Sequence, residues 1–189
     1  PVLIDANQSL TLLPGTLPEG DELAGVRLDA GYAYSLERLA PNRFFVVDVH
    51  DPAHPRLLAT SILNLGTIDG FEVEGGSLHT LARSGSNLTY RLYTLGEPGE
   101  IFAITHSGSL TLPDATASGL AVIDSVATFL RSSGDPETEL YSFHGEATSG
   151  APLQSTALPD AYCYRGTTAE IGDLFTIACK DSGIATGSL

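Results

Sequence analysis

The feature that most constrains this chain is a strand-forming phrase that returns at nearly equal intervals. It reads Gly25-Val26-Arg27-Leu28-Asp29, then Gly70-Phe71-Glu72-Val73-Glu74, then Gly119-Leu120-Ala121-Val122-Ile123, and last Ala161-Tyr162-Cys163-Tyr164. The starting positions lie 45, 49 and 42 residues apart, a period that belongs to repeat architectures such as propeller blades. Each phrase reaches a turn and continues into a second apolar run: Tyr32 to Leu36 after Ala30-Gly31, Leu78 to Leu81 after Gly75-Gly76, Ala127 to Leu130, and Leu174 to Ala178. No helical spacing of apolar residues interrupts this, and 20 Gly and 11 Pro punctuate the chain. The pattern predicts an all-β, propeller-like fold of about four four-stranded units.

Third and fourth strands complete each unit. In the first they are Phe44 to Val49 and Arg56 to Thr60, joined by Asp51-Pro52-Ala53-His54-Pro55, where proline presets φ and needs no ladder hydrogen bond. In the second they are expected at Leu88 to Tyr93 and Ile101 to Ile104, in the third at Glu139 to His144 and Leu153 to Ala157. Full units are thus expected over 24–63, 69–106 and 118–158. Residues 1–20 read as the second half of a unit and 161–189 as the first half, so one blade is expected to be split between the termini. Pairing of the halves would remove exposed strand edges. The ring closes within one chain, between two chains, or within a longer protein of which this is a section.

Composition narrows the function classes. The 23 acidic residues against 9 Lys and Arg give a net charge of −14, which repels phosphate backbones and anionic headgroups. Nucleic acid and direct membrane insertion are therefore not expected, and no stretch approaches the ~20 apolar residues of a membrane-spanning helix. The chain begins at Pro1 without a methionine anywhere, which reads as a mature or excised piece. Asn7 and Asn87 head glycosylation sequons. Cys163 and Cys179 flank the turn near Ile171 and are expected to face each other across a hairpin, as a disulfide if the chain is exported or as two buried thiols if it is not.

The stretch Tyr32-Ala33-Tyr34, followed by Phe45-Val46-Val47-Asp48-Val49-His50-Asp51-Pro52-Ala53-His54-Pro55-Arg56-Leu57-Leu58, resembles the LVIVD repeat of bacterial and archaeal cell-surface propellers. In that family a Tyr-x-Tyr strand precedes an apolar strand ending in Asp and then an Asp-Pro-x-x-Pro turn. The match covers residues 24 to 63, extends more weakly over 1 to 20, and lacks the Asp-Pro turn in the second and third units. The resemblance implies a propeller and an extracellular, cell-surface or periplasmic location. It implies no reaction, since the family shares no catalytic residues.

No Gly-x-Ser-x-Gly elbow, phosphate loop, dinucleotide fingerprint or His-Glu-x-x-His is present, and no catalytic residue is assigned. Acidic residues cluster where the chain enters each first strand: Asp21 and Glu22, Asp69, Asp114 and Asp160. Carboxylates converging at a channel mouth would suit calcium, although aspartate is equally a turn residue. His50 and His54, with Asp48 and Asp51, have a spacing that binds a transition metal only where a turn brings the rings together; a solvated turn is the simpler reading. The seven tyrosines suit packing between blades more than sugar stacking. The function expected is an extracellular, non-enzymatic binding or assembly module that needs no cofactor, with a protein partner or its own copies as ligand. Its alternatives are a structural subunit joined through its terminal strands, or a secreted hydrolase or lyase using channel-mouth carboxylates.

Overall fold

Two-residue turns set the hairpins. In the computed structural model Ala30 and Gly31 both take positive φ (46° and 82°), as do Gly75 and Gly76 (53° and 77°). That is the primed geometry whose twist matches flanking antiparallel strands. The structure describes residues 2–4, 10–12, 22–96, 103–113, 115–123, 125–132, 138–144, 154–157, 167–171, 174–179 and 183–188.

Among the described residues every regular element is a strand. The first sheet is a meander of β3 (Leu23–Asp29), β4 (Tyr32–Glu37), β5 (Arg43–Asp48) and β6 (Arg56–Ile62). The second is β7 (Thr67–Glu74), β8 (Ser77–Ser84), β9 (Asn87–Leu95) and β10 (Ile104–Leu112). The third is β11 (Thr116–Ile123), β12 (Val126–Ser132), β13 (Thr138–His144) and β14 (Gln154–Ala157). Then come three strands, β15 (Thr167–Ile171), β16 (Leu174–Cys179) and β17 (Gly183–Ser188), while β1 (Val2–Ile4) and β2 (Leu10–Leu12) pair at the start of the chain.

Successive first strands lie side by side: β3 against β7, β7 against β11, and β11 against β15. This radial repetition of antiparallel meanders makes the fold propeller-like and all-β. Each of the first three carries a register shift early in its length, between Leu23 and Gly25, Ile68 and Gly70, and Ser118 and Ala121. Such bulges bend a strand and increase its twist, which helps one sheet roll against the next. A Cβ on Gly70 would stand 3.0 Å from the Leu120 Cβ of the next first strand, so the missing side chain lets the two strands approach.

The core divides accordingly. Tyr34, Leu36, Phe44 and Val46 meet Ile68, Phe71 and Leu78 between the first two sheets. Leu81, Leu88, Tyr90 and Leu92 meet Leu120, Val122, Ala127 and Phe129 between the second and third. Asn42, fully buried, stitches the first crossover. Its Oδ1 accepts from the Leu65 and Gly66 amides (2.7 and 3.2 Å), and its Nδ2 donates to the Gly66 carbonyl (2.8 Å) and the Glu37 carbonyl (3.2 Å).

Three expectations change. The fourth strand of the second sheet is Ile104–Leu112, not 101–104; Ile101 and Phe102 themselves lie outside the described residues. The C-terminal unit holds a third strand, β17, and the strand that pairs with β16 is β15, whereas 161–164 lies outside the described residues. At the N-terminus β1 and β2 pair with each other, Val2 opposite Leu12, and no ladder among the described residues joins them to β15–β17.

Candidate functional site

Because the strands alternate in direction, the loops fall at two ends of the sheets. One end holds the entries to the first strands, where the sequence clusters its acids. Glu22 accepts from Arg38 Nη1 at 2.5 Å with both side chains exposed. Asp69, at the bulge of β7, is 5% exposed and is gripped by Arg83 at two points, Nε to Oδ2 (2.5 Å) and Nη2 to Oδ1 (2.8 Å). Both carboxylates thus serve ion pairs between the first and second strands of their own sheet. Asp21, Asp114 and Asp160 lie outside the described residues, and among those described no three His, Cys, Asp or Glu side chains form a group able to hold a metal. The partners of these acids follow the repeat: Leu36 pairs with Gly25 and Leu81 with Gly70, and the arginine stands two residues further in each case. Aligning the phrases in that phase would have found both arginines.

The opposite end carries the turn between β5 and β6, residues 49–55. Two side-chain-capped turns in succession fix its shape. Asp48 Oδ1 accepts from the His50 amide (3.0 Å) and lies 2.9 Å from its Nδ1. Asp51 Oδ1 accepts from the Ala53 amide (3.0 Å), and its Oδ2 is 2.8 Å from His54 Nδ1. The His50 amide, then its ring, holds the Asp48 carboxyl below its ordinary range. For Asp51 the His54 ring leads and the Ala53 amide follows. The two rings therefore turn to separate carboxylates. The turn is anchored to the sheet by Val49 N donating to Gly31 O (3.0 Å) and by His50 set edge-on to Tyr32, ring centroids 5.0 Å apart. Asp51, Pro52, Ala53 and His54 are all exposed.

Beside this end run contacts between sheets that sequence reading missed. Arg27 of β3 donates to Glu72 of β7 (2.5 Å) and stands over the Phe71 ring, 5.2 Å from its centroid. Glu74 accepts from the Ser125 amide of the third sheet at 3.1 Å. Deeper, His79 and Tyr90 share a hydrogen bond of 2.7 Å in the second interface. Burial lowers the His79 pKa to about 4 and raises that of the Tyr90 hydroxyl, to which the nearby Glu74 charge adds. No periodicity reveals such a pair, because the position of His79 is held by Tyr34 in the first unit and Thr128 in the third.

Asn87, one of the two sequon asparagines, is exposed at the start of β9. Asn7 and Cys163 lie outside the described residues; Cys179 ends β16, paired with Gly183.

Chemically, then, the described residues offer paired charges and a rigid exposed turn with hydrogen-bonding rings, an arrangement suited to recognition. No family model matches the chain, and no curated protein matches it. Among solved structures the chain is similar to a computationally designed protein, Ika4, with a TM-score of 0.57 at 11% identity, over 90% of this chain and 94% of that one. It is also similar to the β-propeller domain of Nup133 from Vanderwaltozyma polyspora, with a TM-score of 0.49 at 10% identity, over 88% of this chain and 56% of that domain. At such identities the likeness concerns the fold alone.

Proposed function

We propose that this chain is a non-enzymatic binding or assembly module of the exterior, of the LVIVD-repeat type, whose rigid sheets present the 49–55 turn and its neighbours to a protein partner. The observation that carries the reading is the build of that turn. Residues that face solvent are held by four hydrogen bonds to the Asp48 and Asp51 carboxylates, beside a strand whose central residues Phe44, Phe45 and Val46 are buried. Ordering an exposed loop costs conformational entropy, and a preorganised one binds without meeting that cost again. The Asp-Pro-x-x-Pro phrase supports the family reading, and with it an extracellular, cell-surface or periplasmic setting in which Cys163 and Cys179 form a disulfide.

The test is an interaction screen against secreted and surface proteins, run in parallel with the wild type and with a variant whose residues 50–54 are replaced by a Gly-Ser turn. Hits lost in the variant while its circular dichroism is unchanged support the reading. Hits indifferent to the turn overturn it, as does turnover of a hydrolase or lyase substrate that vanishes in Asp69→Asn. Intact mass tests the setting: a gain of about 2 Da on reduction marks the disulfide, and an unchanged mass removes that support.

A further inference from the structure

The first strands occupy equivalent places in the repeat, yet one of them is not covered as the others are. In β7 and β11 the residue after the repeat glycine faces the preceding sheet and is buried: Phe71 is 1% exposed and Leu120 2%, and two positions on Val122 is 3%. The corresponding residues of β3 are Val26 and Leu28, equally apolar, and they are 52% and 71% exposed. They stand on the side of β3 opposite Gly25 and Arg27, which meet Phe71 and Glu72 of the second sheet. The strand therefore carries the half-interface that its position in the repeat calls for, and no sheet among the described residues fills it as the neighbouring sheets fill β7 and β11.

We infer that this flank of β3 is a docking surface for a second copy of the chain, whose C-terminal sheet packs against it as the first sheet packs against β7. The occupant follows from the interface already present. β3 on β7, β7 on β11 and β11 on β15 are three uses of one contact, each joining a first strand to the next. A sheet offered to Val26 and Leu28 by another copy extends the same contact between molecules. Such an association is head-to-tail: it closes as a ring where the rotation permits and otherwise continues as a series. With a net charge of −14 on each copy, like-charge repulsion opposes it, so it strengthens as salt screens the charge. The surface is a sheet flank distinct from the 49–55 turn, and either reading stands or falls without the other.

Sedimentation velocity on the whole chain across about a hundredfold range of concentration, at low and moderate salt, tests this. The expected result is concentration-dependent assembly that tightens with salt and weakens at least tenfold in Leu28→Glu. Ile62→Glu, which charges a residue 60% exposed on the outer strand β6, leaves it unchanged. Thermal melts that match the wild type show that both variants fold. A wild type that stays monomeric overturns the inference, whether β3 is then covered by the chain's own terminal strands or by nothing. Assembly that Leu28→Glu leaves intact, or that Ile62→Glu weakens equally, overturns it as well.

Discussion

β3 and β7 play the same part in successive sheets and live in different surroundings. Both begin with a bulge before a glycine, both alternate apolar and charged residues, and both end at a two-residue turn. β7 lies between two sheets and buries Phe71, whereas β3, among the described residues, has a sheet on one side and exposes Val26 and Leu28. The repeat thus writes the same interface into each unit, and burial depends on whether a neighbour is there to complete it. An apolar residue at such a position records a contact that the architecture provides for.

The largest difference between the strands should appear on truncation. Phe71→Ala leaves a cavity between the first two sheets and should cost about 3–5 kcal/mol by chemical denaturation, while Val26→Ala should cost less than about 0.5. Equal losses would mean that β3 is covered like β7.

Acid should separate the two interfaces next. Tyr34 in the first and His79 in the second each stand two residues before the leucine paired with the repeat glycine, Leu36 and Leu81. With the folded pKa of His79 lowered to about 4 from 6.5, the unfolded chain binds the extra proton between those values. Stability contributed by the neutral ring is complete above pH 6.5 and falls as pH drops towards 4, by up to about 3 kcal/mol. Tyr90 is the hydrogen-bond partner of that ring, and the Glu74 charge acts on the Tyr90 hydroxyl. Denaturant midpoints measured at pH 7 and pH 4.5 should diverge in the wild type and draw together in His79→Phe.

A smaller contrast concerns the ion pairs at the strand entries. Arg83→Ala strands the buried Asp69 carboxylate and should cost about 2 kcal/mol, against a few tenths for Arg38→Ala, whose partner Glu22 is 60% exposed. Smallest is the glycine pair. Gly70→Ala sets a methyl against Leu120 and should cost about 1–2 kcal/mol, while Gly25→Ala meets the movable end of Arg27 and, at an ordinary 3.6 Å, the Phe71 ring, and should fall within about 0.5.

How far the sequence foretells this molecule depends on where a strand lies. Middle strands stand close to where apolar runs place them because both their faces are packed, as in β4, β5, β8, β9 and β12, and β3 and β7 are found by their alternation of apolar and charged residues between a glycine and a two-residue turn. β10 is an outer strand whose burial alternates only weakly, and its run Thr105-His106-Ser107-Gly108-Ser109 is polar. The apolar Ile101-Phe102-Ala103-Ile104 just before it draws the reading forward. β17, Gly-Ile-Ala-Thr-Gly-Ser, hides for the same reason. At the site, the turn at 49–55 is legible because Pro and Asp act on their own neighbourhood. The pairing of Asp69 with Arg83, of Arg27 with Glu72 and of His79 with Tyr90 spans 14, 45 and 11 residues, and only the registers of the sheets bring those partners together.

The central claim is that the flank of β3 is an interface of the repeat that awaits its neighbour, and hydroxyl-radical footprinting of side chains tests it most directly. In dilute solution Val26 and Leu28 should be modified while Phe71, Leu120 and Val122 are protected, and at high concentration the first two should join the protected set. Val26 and Leu28 protected at every concentration, or modified at every concentration, would contradict the account.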